Sequence, residues 1–171
     1  ASTERRYAFD CVILGGRVFD GTGGSEWSAD IGIRGDTIAA FGDLGLEQAR
    51  SVIEARGLCV APGFIDIHTH SDGDVLAYPD DESRVFQGVT TEVTGNCGYS
   101  AAPKSGFEAE EYFESLREDG IQARWSDVDS YFRTLESTRI AVNHALLLGQ
   151  GTLRRAVAGM ENRALVQGEL A

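Results

Sequence analysis

Cysteine is scarce in this chain, and the three present, Cys11, Cys59 and Cys97, are too few to pair completely and too widely spaced for a disulfide framework, so reduced thiols are expected. Positive charge is also scarce. Fifteen Lys and Arg stand against 27 Asp and Glu, a net charge of -12, which repels phosphate backbones and anionic lipid and argues against nucleic-acid or membrane-surface partners. No stretch approaches the roughly 20 apolar residues of a spanning helix, and the polar, charged residues 1–9 lack the apolar centre of a signal peptide. These absences point to a cytoplasmic protein, although a start at Ala1 rather than Met points to processing. With 42% hydrophobic and 25% charged residues, the composition is that of a folded globular chain.

Within that composition, residues 8–61 read as short strands: AFDCVIL, GRVF, ADIGIR, TIAAFG, SVIEA and LCVAP, separated by glycine-containing turns. The Gly35-Asp36 pair between two alternating runs predicts a two-residue hairpin, and this turn is preferred to reading Arg34-Gly35-Asp36 as an integrin-recognition tripeptide. From Pro62 onward, apolar strands alternate with helical segments over 82–87, 108–117 and a stretch after Ser126, with another helix after Thr152. Ser126 and Asp129 suggest a capping box, followed by Val128, Tyr131, Phe132 and Leu135 at helical spacing. The fold class is therefore α/β. Residues 1–61 are expected to form a small all-β unit and 62–171 the first β/α units of a parallel sheet, open or closed as an eightfold barrel. A closed barrel takes about 250 residues, so the length after Pro62 is too short for one.

Chemistry concentrates at strand ends. In Asp66-Ile67-His68-Thr69-His70, alternation places Asp66, His68 and His70 on one face at the C-terminal end of a strand, where parallel β/α folds gather catalytic groups. Paired imidazoles suit zinc and similar divalent ions, with Asp66 as a supporting acceptor. The competing reading, two exposed histidines without a ligand, fits the preceding buried-strand pattern less well. Thr94-Gly95-Asn96-Cys97-Gly98 ends the next strand, giving Cys97 the same address. It is a metal ligand or nucleophile on one reading and a small buried residue on the other. Cys11 and Cys59, inside apolar strand patterns, read as inert.

Weaker signals have simpler explanations. Gly149-Gln150-Gly151-Thr152-Leu153-Arg154 has the outline of a dinucleotide loop, but Arg154 replaces its third glycine, so a tight strand-to-helix turn explains it, with Arg154 left as a candidate for an anionic substrate group. His144, inside an apolar strand, reads as a core histidine rather than a third ligand. Of Asp72, Asp74, Asp80 and Asp81, only Asp72 is expected to do more than face solvent.

The stretches DCVILGGRVFDGTG, ADIGIRGDTIAAFGDL, APGFIDIHTHSD, QGVTTEVTGNCGYSAAP and LLLGQGTLRRAV resemble, in order and rough spacing, the amidohydrolase superfamily and specifically its N-acyl-D-amino-acid deacylase (D-aminoacylase) branch. The His-x-His motif indicates the superfamily, and Gly-Asn-Cys-Gly the branch, since other amidohydrolases usually bridge their metals with a carboxylated lysine. The resemblance implies a small β-sandwich beside a (β/α)8 TIM barrel that holds zinc at its C-terminal face. It implies that the cysteine matching Cys97 holds the tighter zinc with two later histidines, and that His68 and His70 match a weaker neighbouring site. The implied substrate is a small-molecule N-acyl amino acid, with an aspartate on the last barrel strand as general base and acid. That aspartate, the later histidines and the groups binding the substrate carboxylate are expected beyond Ala171, so no catalytic base is assigned here and the chain is expected to be an inactive fragment. Many relatives carry histidine where Gln150 stands. The alternatives are a hydantoinase-like cyclic amidase, which a lysine in place of Cys97 would have favoured, and a noncatalytic remnant.

Overall fold

The computed structural model describes residues 7–45 and 49–169, except the side chains of residues 107 and 108. It divides into two compact units between Pro62 and Gly63.

In the first unit, β1 (Phe9–Val18) is the organising strand. Val12, Leu14 and Val18, at even spacing, are buried on one side of its pleat. It pairs antiparallel with β2 (Trp27–Arg34) and parallel with β4 (Ala49–Glu54) and the short β5 (Cys59–Val60), while β3 (Thr37–Gly42) extends the sheet beyond β2. The β2–β3 hairpin closes on Arg34 opposite Thr37, with Gly35 at φ 60°, the positive φ that such a turn requires. The turn's groups are also engaged: the Gly35 amide donates to Asp10 Oδ2 at 2.7 Å and the Arg34 guanidinium to the Ala8 carbonyl at 2.8 Å. Phe9, Val12, Leu14 and Ala49 form the core of this unit.

Where β1 shifts register against β2 between Ile13 and Gly16, the backbone needs an acceptor from outside the ladder. The buried Asp30 supplies it, accepting from the Gly15 amide at 2.7 Å and, through its other oxygen, from the Leu44 amide at 2.8 Å. Cys11 is half-buried, as strand patterning suggests, but Cys59 is exposed on the two-residue β5, with Arg17 Nη2 at 3.1 Å from its sulfur.

The second unit is α/β. Three parallel strands, β6 (Phe64–Asp66), β7 (Val89–Thr94) and β8 (Asn143–Leu146), lie in sequence order, as successive crossovers dictate. Between β6 and β7 come two short helices, α1 (Asp74–Ala77) and α2 (Glu82–Val85). Between β7 and β8 come α3 (Gly106–Glu118) and α4 (Val128–Thr138), and α5 (Gln150–Ala158) follows β8. The capping box of α4 sits one residue later than the sequence suggests. Asp127 is the N-cap, accepting from the Ser130 amide at 2.8 Å while Ser130 Oγ accepts from the Asp127 amide at 3.2 Å. A carboxylate offers the helix N-terminus both an acceptor and a charge, which the Ser126 hydroxyl does not. Tyr131 and Leu135 bury the inner stripe of α4 against Val75, Leu76, Phe113, Leu116 and Trp125. Trp125 stacks edge-on with Phe113 at 5.0 Å, and its indole N–H donates to the Ala101 carbonyl at 2.8 Å, so its polar atom is satisfied.

His144 belongs to this core. Its Nε2 lies 2.9 Å from Thr94 Oγ1 and 3.1 Å from Tyr131 Oη, while the Tyr131 hydroxyl donates to the Asp72 carbonyl at 2.9 Å. Burial holds its pKa below the ordinary value, with the Asp72 charge acting in the opposite direction.

Two outcomes follow from these packing arrangements. Asp30→Ala orphans two backbone amides and should lower stability by about 1–3 kcal/mol in chemical denaturation. For His144, the unfolded chain takes up a proton near pH 6.5 while the folded chain resists it, so stability is present above that pH and is lost as pH falls toward the lowered folded value. His144→Gln should therefore lose less melting temperature than wild type between about pH 7.5 and about pH 5.5. Equal losses would show that His144 titrates alike in both states.

Candidate metal centre

The ends of β6 and β7 carry the two sequence-predicted motifs. Strand β6 stops at Asp66, so extended alternation does not itself reach the histidines. Burial alternates nonetheless: His68 and His70 are exposed, whereas Thr69 and Ser71 are 6% and 1% exposed. The imidazoles thus project to one side and the two hydroxyl residues to the other. Asp66 does not bond an imidazole. Its Oδ1 accepts from the His68 backbone amide at 3.1 Å, holding the turn rather than the ring.

Beyond β7 the chain turns through Asn96–Gly98, a single 3₁₀ turn in which Cys97 adopts φ 56°. A left-handed conformation at a residue with a Cβ is strained by roughly 1–2 kcal/mol and needs a surround that enforces it. The flanking glycines provide that surround. A Cβ on Gly95, at φ 78°, would lie 1.9 Å from the Leu147 carbonyl oxygen, and one on Gly149 would lie 2.5 Å from that of Gly98. The loops after β7 and β8 are packed backbone to backbone, and the buried Ser100 hydroxyl accepts from the Gly149 amide at 3.1 Å across the same junction. Cys97 is exposed on this rigid loop.

The result is a cluster. Cys97 Sγ lies 3.3 Å from His68 Nε2, the His68 and His70 rings are 5.6 Å apart, and one ligand atom from each of the three residues fits within a 4.8 Å group. A thiolate with imidazoles is a donor set suited to zinc, and tetrahedral zinc places sulfur and nitrogen ligands roughly 3.5 Å apart. The Cys97–His68 separation fits that span. Among the described residues this is the one group of three or more His, Cys, Asp or Glu side chains placed to hold a metal ion.

The other candidates lie elsewhere. His144 is bonded within the core and is no part of the cluster. Asp72 is buried, and its Oδ1 accepts from the Ala101 amide at 3.1 Å, so its work is to fix the loop after β7. Asp74 and Asp80 face solvent, but Asp81 is buried against Arg84 at 3.0 Å. Gln150 is exposed at the start of α5. Arg154 Nη2 donates to the Glu161 and Arg163 carbonyls, at 2.8 Å and 2.7 Å, which commits its guanidinium to backbone rather than to an anionic ligand.

What sequence reasoning missed is the polar support beneath the cluster. Glu92, in the middle of β7, is fully buried; its Oε2 accepts from Ser71 Oγ at 2.6 Å and its Oε1 pairs with Arg84 Nε. Burial pushes the Glu92 carboxyl above its ordinary pKa, opposed by the Ser71 hydrogen bond and the Arg84 charge. Arg84 also donates from Nη2 to Thr69 Oγ1 at 3.1 Å. Asn96 Nδ2 donates to the Thr69 carbonyl at 3.2 Å and the Val93 carbonyl at 2.8 Å, tying the histidine turn to the residue preceding Cys97. The available signal was a glutamate inside VTTEVT, an ionisable group in a strand otherwise suited to burial.

Comparison with known proteins places this arrangement among relatives. Over 163 residues the chain is 42% identical to a D-aminoacylase of Alcaligenes xylosoxydans xylosoxydans, covering 95% of this chain and 34% of the relative. It is 44% identical over 149 residues to an N-acyl-D-glutamate deacylase of the same organism, covering 86% of this chain and 30% of the relative. Among solved structures, a D-aminoacylase studied for its binuclear metal centre superposes with a TM-score of 0.79 at 40% identity, covering 95% of this chain and 34% of that one. The N-acyl-D-glutamate deacylase of Bordetella bronchiseptica, complexed with zinc and a phosphonate inhibitor, superposes with a TM-score of 0.81 at 39% identity, covering 94% and 34%. The chain thus spans about a third of the length of these relatives. Residues 51–162, more than half of the sequence and including the whole Cys97–His68–His70 cluster, match the amidohydrolase family, and the chain belongs to that family.

Proposed function

We propose that this chain is the part of a zinc-dependent deacylase of N-acyl-D-amino acids that contributes Cys97, His68 and His70 to the metal site, releasing a carboxylate and a D-amino acid. The carrying observation is the convergence of one sulfur and two imidazoles at the C-terminal ends of adjacent parallel strands. The relatives support the substrate class, being named for D-amino-acid deacylation, and one of them was solved with zinc and a phosphonate described as mimicking the tetrahedral intermediate.

Zinc, when bound, supplies Lewis acidity that polarises an amide carbonyl and brings the pKa of water toward neutrality. This chain's residues hold the donors in place. The strained Cys97 loop presents its sulfur without rotational freedom of the backbone, and the buried Thr69 and Ser71 keep the imidazoles turned outward. The sheet itself supports a larger architecture. Phe64, Ile65 and Ile67, on and just after β6, are 67%, 61% and 73% exposed, and β6 and β8 each pair on one side alone among the described strands. Parallel sheets are ordinarily covered on both faces, so we read 62–171 as the opening β/α units of a TIM barrel and 1–61 as one part of a small β-sandwich. No helix among the described residues is long and apolar enough to cross a membrane, and the separate free thiols fit a cytoplasmic setting.

The test is zinc content per chain and hydrolysis of N-acetyl-D-amino acids by the complete natural polypeptide. About one tightly held zinc is expected, lost in Cys97→Ala together with more than about 100-fold of the activity. Full zinc content and activity in Cys97→Ala would overturn the assignment, and hydrolysis confined to L substrates would overturn the substrate class.

A further inference from the structure

The buried polar group beneath the cluster leaves two carboxylate oxygens, Glu92 Oε1 and Asp81 Oδ2, without a hydrogen bond among the described residues. Along 68–71 the chain alternates exposed and buried, and the two side chains turned inward, Thr69 and Ser71, are the ones bracketing His70. Each is held by one member of a single ion pair, the buried Glu92 with the half-buried Arg84: Ser71 Oγ by Glu92 and Thr69 Oγ1 by Arg84. The guanidinium is itself fixed from three directions, since Nε pairs with Glu92, Nη1 with Asp81 at 3.0 Å and Nη2 with Thr69. Glu92 stands on β7, two residues before the strand delivers its end to the Cys97 loop. One rigid strand therefore sets both halves of the cluster, the sulfur through its backbone and the imidazoles through its glutamate.

We infer that Glu92 and Arg84 are positioning residues that tune metal affinity by clamping Thr69 and Ser71 on either side of His70. This rests on the zinc reading above. A buried carboxylate met by a partly exposed guanidinium is a weak source of net stability, and an apolar pair of similar volume would often serve packing as well. Their geometry instead fits orientation. Neither touches a ligand side chain, and both fix the residues that dictate where His70 points. Arginine is suited to this role because its guanidinium donates to Asp81 and Thr69 from separate nitrogens while pairing electrostatically with Glu92, which a lysine ammonium on a flexible stem does not reproduce.

The experiment measures zinc affinity by competition with a chromophoric chelator, and the absorption spectrum with cobalt(II) in place of zinc, on the complete natural polypeptide. The variants are Ser71→Ala and Arg84→Gln, with Arg133→Ala, from an exposed pair with Asp129, as control. Affinity at the weaker site, the one His68 and His70 match, is expected to fall about 10–100-fold in the first two variants, with altered cobalt bands, and to stay within about twofold of wild type in the control. Zinc affinity and cobalt spectra unchanged in Ser71→Ala and Arg84→Gln, whatever happens to the melting temperature of the metal-free protein, would reduce the clamp to a structural element and overturn the inference. The same titration on Cys97→Ala separates the two ideas. If wild type and Cys97→Ala bind zinc alike, the zinc site itself is wrong; if only Cys97→Ala weakens binding, the site stands and the clamp fails.

Discussion

A carboxylate cannot be left alone in a protein interior, and Glu92 is buried to the last fraction of its surface. The surroundings of the Cys97–His68–His70 cluster follow from how that charge is met. Arg84 must come inward to neutralise it, which draws α2 against the sheet. Ser71 must turn inward to fill a lone pair, which leaves His70 no direction but outward. The arginine's remaining donors then settle on Asp81 and Thr69. The histidine turn, α2 and the central strand are thus one electrostatic unit gathered around the Glu92 carboxylate.

The sequence reveals the scaffold better than it reveals this unit. The strand segments, the Gly35-Asp36 hairpin and the inner stripe of α4 are legible because period and turn chemistry are local properties, whereas the order of the strands is not. His68, His70 and Cys97 are legible because metal-binding residue types stand at strand ends. The capping residue of α4 was displaced by one position because Asp127 and Ser126 are both acceptable caps and the carboxylate prevails. The supporting network was hidden for a different reason. Asp81 and Arg84 stand at i,i+3, a spacing that brings side chains together, but whether Arg84 folds back onto Glu92 depends on tertiary approach that no spacing encodes. For the same reason Arg154 looked available to a ligand, while the fold spends its donors on two carbonyls of its own chain.

The first unit shows a parallel case of one carboxylate organising backbone. Asp30 bridges the irregularity in β1 and the chain leaving β3, a role carried by hydrogen-bond geometry rather than by hydrophobic pattern. Asp30 meets backbone at the irregularity of β1, whereas Glu92 stands inside the regular β7 and meets the side chains of Ser71 and Arg84. Helix and strand periodicity describe the regular parts, and the acids describe the joints between them.

The contact of Gly95 with the Leu147 carbonyl, and of Gly149 with that of Gly98, has a consequence for how such a site can change. Two main chains that touch without intervening side chains behave as a fixed joint, and neither loop can be lengthened, shortened or given a side chain at the joint without moving the other. The sulfur's coordinates are therefore inherited from the loop after β8 as much as from its own. A lineage could vary the specificity surfaces around this joint freely, but a change of metal-to-sulfur geometry would require both loops to change together.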